Sequence, residues 1–132
     1  MSRMAAGTCT STVRVLIADD HRLFAEALEA VLRTEPELEV VGRAADGREA
    51  LALAESLEPD VVLLDISMPL MDGFEAAAEI TKLPTKPAVL ILSGSNAPRD
   101  IDQARRAGAS GYVTKDAIAA RLVAAILAAA TA

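Results

Sequence analysis

The chain has 132 residues, the length of one domain with a real hydrophobic core. Its formal net charge of −6 disfavours direct nucleic-acid binding, because that binding needs clustered Lys and Arg side chains. Its single cysteine, Cys9, cannot form an internal disulfide and has no partner at zinc-ligand spacing. Apolar runs are far shorter than the roughly 20 residues that cross a bilayer, so we expect a cytoplasmic protein without membrane contact.

Residues 1–12 have no periodic apolar face, so we expect a flexible N-terminal extension before a domain that spans residues 13–130. From residue 13 onward, apolar runs of strand length alternate with longer segments of helical period, which predicts parallel strands joined by helical crossovers. The predicted strands lie at about 13–18, 38–43, 60–65, 88–92 and 110–113. The predicted helices lie at about 21–33, 47–57, 73–81, 98–107 and 116–129. The chain ends soon after the fifth helix, so we expect no effector domain within it.

Three predicted helices differ in the apolar surface that they offer to a sheet. The first has a stripe formed by Phe24, Ala27, Leu28, Val31 and Leu32. The fifth has a stripe formed by Ile118, Leu122, Ala125, Ile126 and Ala129. The fourth offers chiefly Ile101, Ala104 and Gly108 among charged neighbours, and this thin apolar anchor predicts a mobile helix.

Carboxylates stand at the ends of two predicted strands. Asp65 ends the apolar run 61–64, and Asp19 and Asp20 follow the first strand. In open α/β sheets the chemistry lies at the carboxyl ends of the strands. The three carboxylates therefore predict one shared cation site.

Four motifs, each near the end of a predicted strand, resemble the receiver domain of bacterial two-component response regulators. They are Ala18–His21, Asp65 with Met68–Gly73, Ser93–Gly94 and Gly111–Asp116. The Ala-Asp-Asp-His start and the Lys-Asp ending are most similar to the NarL/FixJ type, whose members usually carry a C-terminal helix-turn-helix domain. The resemblance covers Val13 to about Ala129 and implies an α/β fold, a single doubly wound (βα)5 flavodoxin-like domain with parallel strand order 2-1-3-4-5.

This resemblance implies that Asp65 is a phosphoacceptor that takes a phosphoryl group from a phosphohistidine on a sensor histidine kinase. A Mg²⁺ ion would be held by Asp19, Asp20, Asp65 and the main-chain carbonyl of Ser67, because carboxylate and carbonyl oxygens are the ligands that Mg²⁺ prefers. The cation would reduce the repulsion between an anionic nucleophile and an anionic phosphoryl group. The domain would catalyse only its own phosphotransfer and autodephosphorylation, so we do not classify it as an enzyme.

The resemblance also implies how the phosphorylated state is recognised. Lys115 would place an ammonium against the phosphate, and the Ser93 hydroxyl would donate a hydrogen bond to it. Ser93 would move inward and Tyr112 would turn into the space that this opens, changing the surface around the fourth helix and fifth strand. That surface would control homodimerisation or a DNA-binding effector domain, so we expect transcription regulation, with DNA contacted only through a C-terminal domain that this chain lacks.

Two other functions fit part of the pattern. A receiver-like interaction module that does not use phosphate would need none of these residues, whereas this chain has all of them. A Mg²⁺-dependent phosphatase with an aspartyl-phosphate intermediate would need a second acid two residues after Asp65, and Ser67 stands there instead.

Several of these residues also have purely structural interpretations. Asp19 and Asp20 can cap the first helix, and we expect them to do so as well as bind the cation. His21 is interpreted as an exposed residue rather than a phosphate carrier. Many receivers have Lys-Pro where this chain has Lys115-Asp116, and the sequence leaves open whether that bond is cis.

Overall fold

The computed structural model describes residues 12–66, 73–94 and 97–131. Its elements, in chain order, are β1 (Val13–Ala18), α1 (Arg22–Arg33), β2 (Leu38–Ala44), α2 (Gly47–Leu57), β3 (Val61–Asp65), α3 (Gly73–Ile80), β4 (Ala88–Ser93), α4 (Pro98–Arg106), β5 (Gly111–Thr114), a 3₁₀ turn (Lys115–Ala117) and α5 (Ile118–Thr131). Each predicted strand and helix is present, with bounds that differ by at most two residues. The expected flexible extension lies outside the described residues, apart from Thr12.

The five strands form one parallel sheet in the order β2-β1-β3-β4-β5, which confirms the predicted topology. Parallel neighbours need crossover connections, and the helices supply them. From β1 the chain passes to β2, which lies beside β1 in one direction, and then returns to β3, which lies beside β1 in the other direction. The strand order therefore reverses between β1 and β3. The carboxyl ends of β1 and β3 therefore flank the crevice where ligands bind in folds of this class.

Two apolar layers cover the two faces of the sheet. Successive residues of β1 alternate between them: Val15 and Ile17 enter the layer under α1 and α5, whereas Leu16 and Ala18 enter the layer under α2, α3 and α4. Because both faces are covered, the central strand β3 is apolar at every position before its last, and its residues 61–64 are 0% exposed.

The predicted apolar stripe of α1 is partly wrong. Ala25, Leu28 and Leu32 are its buried residues, whereas Val31 is 46% exposed and Ala27 is also exposed. Consecutive residues of a helix are rotated by about 100°, so Ala27 and Val31 point away from the line through Leu28 and Leu32. The small residue Ala25 completes the buried face instead.

The other two helices follow the prediction. In α5, Leu122 and Ile126 are buried, and the other three predicted stripe residues pack against the same cluster while remaining partly exposed. In α4 the buried residue is Ala104 alone, which confirms the thin apolar anchor.

Arg14, the one polar residue of β1, links β1 to the end of α2 and to the residue before β3. It lies at the edge of the sheet opposite Asp19 and Asp65. Its backbone N–H donates to the Asp60 carboxylate at 2.9 Å, and its guanidinium Nη1 donates to the carbonyls of Leu57 and Glu58 at 2.6 and 3.0 Å. These carbonyls end α2, where helix geometry leaves acceptors unpaired. Arg14 is therefore a structural residue.

The Lys115–Asp116 peptide bond is trans, as is every peptide bond that the structure describes. Within the described ranges, no helix combines the length and apolar character needed to span a membrane.

Candidate functional site

Four polar side chains project from the carboxyl edge of the sheet. Asp19 follows β1, Asp65 ends β3, Ser93 ends β4 and Lys115 follows β5. Asp19, Asp65 and Ser93 are 3%, 2% and 2% exposed, and they are the buried polar residues of the described ranges. Burying two carboxylates is unfavourable unless their charge is paired or bound to a cation. The fold therefore buries two carboxylates at this edge, where each needs a paired charge or a bound cation.

Asp19 is held rigidly by the backbone around it. Its own N–H donates to the carbonyl of Ala44 on β2 at 3.0 Å, and its Oδ1 accepts from the N–H of His21 at 2.7 Å. Asp19 thus fixes the turn that leads into α1, although the helix N-cap is His21, whose side chain makes no capping hydrogen bond. The expectation that Asp19 and Asp20 cap the first helix is therefore wrong, because the N-cap position is taken by the residue that follows them.

Lys115 bridges the two buried carboxylates. Its Nζ donates to Asp65 Oδ2 at 3.3 Å and lies 3.6 Å from Asp19 Oδ2. The same ammonium lies 4.6 Å from the centroid of the Phe24 ring on α1, a cation–π distance. The Lys115 side chain is 26% exposed, so its charge is only partly screened by water. Phe24 was not identified from the sequence as part of this site.

The carboxylates of Asp19, Asp20 and Asp65 and the imidazole of His21 each offer one ligand atom, and these atoms all lie within 4.8 Å of one another. Asp19 Oδ2 is buried and accepts no hydrogen bond from the described residues, although the Lys115 ammonium is near. A buried oxygen without a hydrogen bond is unfavourable in the absence of a cation. Oxygen donors of this kind fit a hard divalent cation such as Mg²⁺. Ser67, whose carbonyl was predicted as a further ligand, lies outside the described residues.

Gly73, the first residue of α3, closes against the strand that carries Asp65. A Cβ at this position would lie 2.5 Å from Ile66 Cα and 2.6 Å from the Asp65 carbonyl oxygen. The Gly73 N–H also donates to the Ile66 carbonyl at 3.2 Å. Only glycine allows this approach, so Gly73 determines how Asp65 is presented. The sequence shows the glycine but not the backbone it faces.

The proposed switch pair, Ser93 and Tyr112, lies on one side of the sheet. In the β4–β5 register Ile91 is opposite Tyr112 and Ser93 is opposite Thr114, so alternation directs Ser93 and Tyr112 to the same face. Tyr112 is half-buried and packs against the layer covered by α2, α3 and α4. A surface cleft of about 160 Å³ is lined by Tyr112 and by Ile101 of α4, among other residues.

Comparison with known proteins identifies relatives of the whole described domain. A model of the response regulator receiver domain matches residues 15–127. The transcriptional regulatory protein DegU of Brevibacillus brevis is 38% identical over 114 residues, which are 86% of this chain and 48% of DegU. The chain spans about half the length of the curated relatives it matches.

Solved structures agree with this family. The signal receiver domain of NarL from Mycobacterium tuberculosis superposes with a TM-score of 0.88 and 38% identity, over 92% of this chain and 98% of that one. A chain of the CheX–CheY–BeF₃–Mg²⁺ complex from Borrelia burgdorferi superposes with a TM-score of 0.82 and 25% identity, over 89% of each chain.

Proposed function

The chain belongs to the response regulator receiver domain family, and from this premise we propose that it accepts a phosphoryl group on Asp65 and transmits that change through α4 and β5. One observation carries the proposal. The buried Asp65 carboxylate lies beside the Lys115 ammonium at 3.3 Å and within a cluster that includes Asp19 and Asp20. An isolated carboxylate so deeply buried would be costly, whereas a nucleophile and cation ligand requires this environment.

In the proposed reaction, a carboxylate oxygen of Asp65 attacks the phosphorus of a phosphohistidine on a sensor histidine kinase. A phosphorus–oxygen bond forms while the phosphorus–nitrogen bond breaks, and the imidazole leaves with the electron pair of that bond. Lys115 would orient the phosphoryl oxygens as a positive point charge. A bound divalent cation would neutralise the charge that accumulates between nucleophile and phosphoryl group.

We assign Mg²⁺ as the cation, with Asp19, Asp20, Asp65 and the Ser67 carbonyl as its protein ligands. The buried Asp19 Oδ2, which accepts no hydrogen bond from the described residues, supports this assignment, as does the oxygen-rich donor set. The related Borrelia burgdorferi complex contains Mg²⁺ and BeF₃. Residues 13–130 would form the receiver domain.

The output of phosphorylation would be a shift in the α4–β5 surface. The Ser93 hydroxyl would bond the phosphoryl group, and Tyr112 would move toward the space that Ser93 vacates. The placement of Ser93 and Tyr112 on the same face of the sheet, the face that α4 covers, supports such a movement. The surface would control homodimerisation or an effector domain that binds DNA, since relatives such as DegU are transcriptional regulators about twice as long.

Intact-mass spectrometry with Mg²⁺ and acetyl phosphate tests the phosphoacceptor. The parent chain should gain one phosphoryl group and Asp65→Asn should gain none. Asp102→Asn is the matched control, because Asp102 is an exposed α4 carboxylate, 59% exposed, and pairs only with Arg105 among the described residues. Labelling retained in Asp65→Asn would overturn the assignment. An unlabelled parent, with a phosphorylated kinase domain also tried as donor, would favour the phosphate-independent interaction module.

A further inference from the structure

The C-terminal end of α4 is held by the residue that follows α3. The Thr81 N–H donates to the Ala77 carbonyl at 3.0 Å, so this residue continues the hydrogen bonds of α3. The Thr81 Oγ1 lies 3.2 Å from the carbonyl oxygen of Ala107, the C-cap residue of α4. Thr81 and Ala107 are 26 residues apart in the sequence, so this hydrogen bond joins two helices that the chain otherwise connects through β4.

Gly108 allows the two helices to approach at this point. Its φ of +93° lies in the left-handed region, which favours glycine. A Cβ at Gly108 would lie 3.0 Å from Thr81 Oγ1 and 3.3 Å from Thr81 Cβ, closer than ordinary contact. The Gly108 N–H donates to the Arg105 carbonyl at 3.0 Å. The Ala109 N–H donates to the Ala104 carbonyl at 3.1 Å. The end of α4 is therefore fixed both by its own closing turn and by Thr81.

The described residues give the N-terminal turn of α4 less support. Its N-cap is Ala97, whose methyl group cannot make the capping hydrogen bond that Ser, Thr, Asp or Asn would make. Pro98 and Arg99 are exposed. Ala104, the buried residue of the helix, lies in the half of α4 that is nearer to Thr81. The contacts that hold α4 are thus concentrated at its C-terminal end.

The Thr81 hydroxyl has a second acceptor within its own helix. Its Oγ1 also lies 3.1 Å from the carbonyl oxygen of Ala78, in the last turn of α3. A hydroxyl carries one proton, so the two carbonyls compete for it. If the bond to Ala107 opens, the hydroxyl donates to Ala78 instead, and no half-buried donor is left unpaired. The bond between the two helices can therefore open at little cost.

We propose that Thr81 is the pivot of α4: its hydroxyl holds the C-terminal end of the helix through Ala107, so that α4 turns about this end and its N-terminal turn moves furthest. The inference rests on the proposed function, because it describes how the α4–β5 surface would change after phosphorylation of Asp65. Thr81 lines a cleft with Asp60 and Ala88, which stand at the amino ends of β3 and β4. The pivot therefore lies at the edge of the sheet opposite the phosphoacceptor and acts without touching it.

Amide-resolved hydrogen exchange of the protein without added ligand tests whether Thr81 holds the end of α4. Thr81→Val removes the hydroxyl and keeps a branched side chain. The amides of Ala107 and Gly108 should then exchange about two- to tenfold faster, the effect of losing one hydrogen bond. Thr81→Ser keeps the hydroxyl and should retain the protection of the parent chain.

Thr34→Val is the matched control. Thr34 follows α1, and its hydroxyl donates to the Val31 carbonyl at 2.7 Å, the same three-residue bond that Thr81 can make to Ala78. This variant should leave exchange in α4 unchanged. If Thr81→Val speeds exchange in the last turn of α3 but not at the end of α4, or in neither helix, the hydroxyl does not hold α4 and the proposal is wrong.

Addition of BeF₃ and Mg²⁺ separates failure of the pivot from failure of the proposed function. In the parent chain, the exchange rates of Asp100 and Ile101 should change at least about threefold more than those of Ala107 and Gly108. In Thr81→Val this difference should shrink, because the far end of the helix is no longer held. Equal changes at both ends of α4 in the parent chain, or an undiminished difference in Thr81→Val, would overturn the pivot and leave the proposed switch standing. If no α4 amide responds in the parent chain, the proposed switch is wrong and the pivot falls with it.

Discussion

The two helices that flank β5 are packed very differently. On one face α5 inserts Leu122 and Ile126, which are 1% and 0% exposed, into the layer that it shares with α1. On the other face α4 contributes Ala104 alone as its buried residue. The free energy of local opening depends on buried apolar contacts, so α4 should open more readily than α5. We therefore expect the α5 side of β5 to stay fixed and the α4 side to be the one that changes.

The largest loss of stability is expected for a substitution in α5, on the side of β5 that we expect to be fixed. Leu122→Ala leaves a cavity in a closely packed layer and should lower the free energy of unfolding by about 2–5 kcal/mol. Ile101→Ala, at a half-buried position of α4, should cost about 1 kcal/mol because less apolar area is lost. Urea unfolding of both variants measures the difference. Equal losses would show that α4 is as firmly packed as α5.

A second test compares Gly73, the first residue of α3, with Gly94, which precedes α4. Gly73→Ala forces a methyl group against the Asp65 and Ile66 backbone, and overpacking of this kind should cost about 1–3 kcal/mol. Because the strand end must shift, phosphorylation of Asp65 should also slow. At Gly94 an added Cβ would meet no atom within 4 Å, so Gly94→Ala should be nearly neutral in both assays. Urea unfolding and the rate of acetyl phosphate labelling measure these effects, and a neutral Gly73→Ala would mean that the approach is not required.

Most of the fold was predictable because local and long-range signals agree. Both faces of the sheet are covered, so the central strands are continuous apolar runs, and the helices show a 3.6-residue period. The error in α1 has a clear reason. Hydrophobicity alone favours Val31 over Ala25, but Ala25 lies on the same helical face as Leu28 and Leu32, whereas Val31 is rotated away from it.

The site was predictable where it depends on strand ends and not where it depends on distant contacts. Asp19 and Asp65 end or follow apolar strands, and parallel topology brings such ends together. The contact of Phe24 with Lys115 joins α1 to the residue after β5, and no local pattern reveals it. His21 was interpreted as exposed, which is correct, yet exposure does not prevent its Nδ1 from joining the acid cluster.

Hydrogen exchange sharpens the comparison of α4 with α5 without a substitution. Backbone amides at the centre of α4 should exchange at least about tenfold faster than those around Ile126, a difference of about 1.4 kcal/mol in opening free energy. Adding BeF₃ and Mg²⁺ should change exchange in α4 more than in α5, because the proposed switch residues Ser93 and Tyr112 face the α4 side. Equal protection of the two helices would contradict the comparison, and an unchanged α4 would contradict the proposed switch.

The smallest effect is expected for a substitution in α1, whose Phe24 ring lies beside the Lys115 ammonium. The Phe24 ring on α1 lies 4.6 Å from Lys115 Nζ, so Phe24→Leu should weaken the positioning of that ammonium by about 0.5–1 kcal/mol. The rate of acetyl phosphate labelling should then fall about two- to fivefold, if the whole loss appears in the transition state. Phe24→Tyr keeps the ring and should restore the rate, whereas Leu23→Ala, at a neighbouring position that is 81% exposed, should leave it unchanged.

A double substitution decides whether Phe24 acts through Lys115. In a Lys115→Ala background, Phe24→Leu should cause no further loss of labelling rate, because the ammonium that the ring positions is gone. Additive losses would mean that Phe24 acts by another route, such as general packing of α1. If Phe24→Leu causes no further loss in this background, the two sides of β5 would have complementary roles. The α1 and α5 layer would hold the catalytic ammonium at a fixed distance from Asp65, and α4 would respond when Asp65 changes its charge.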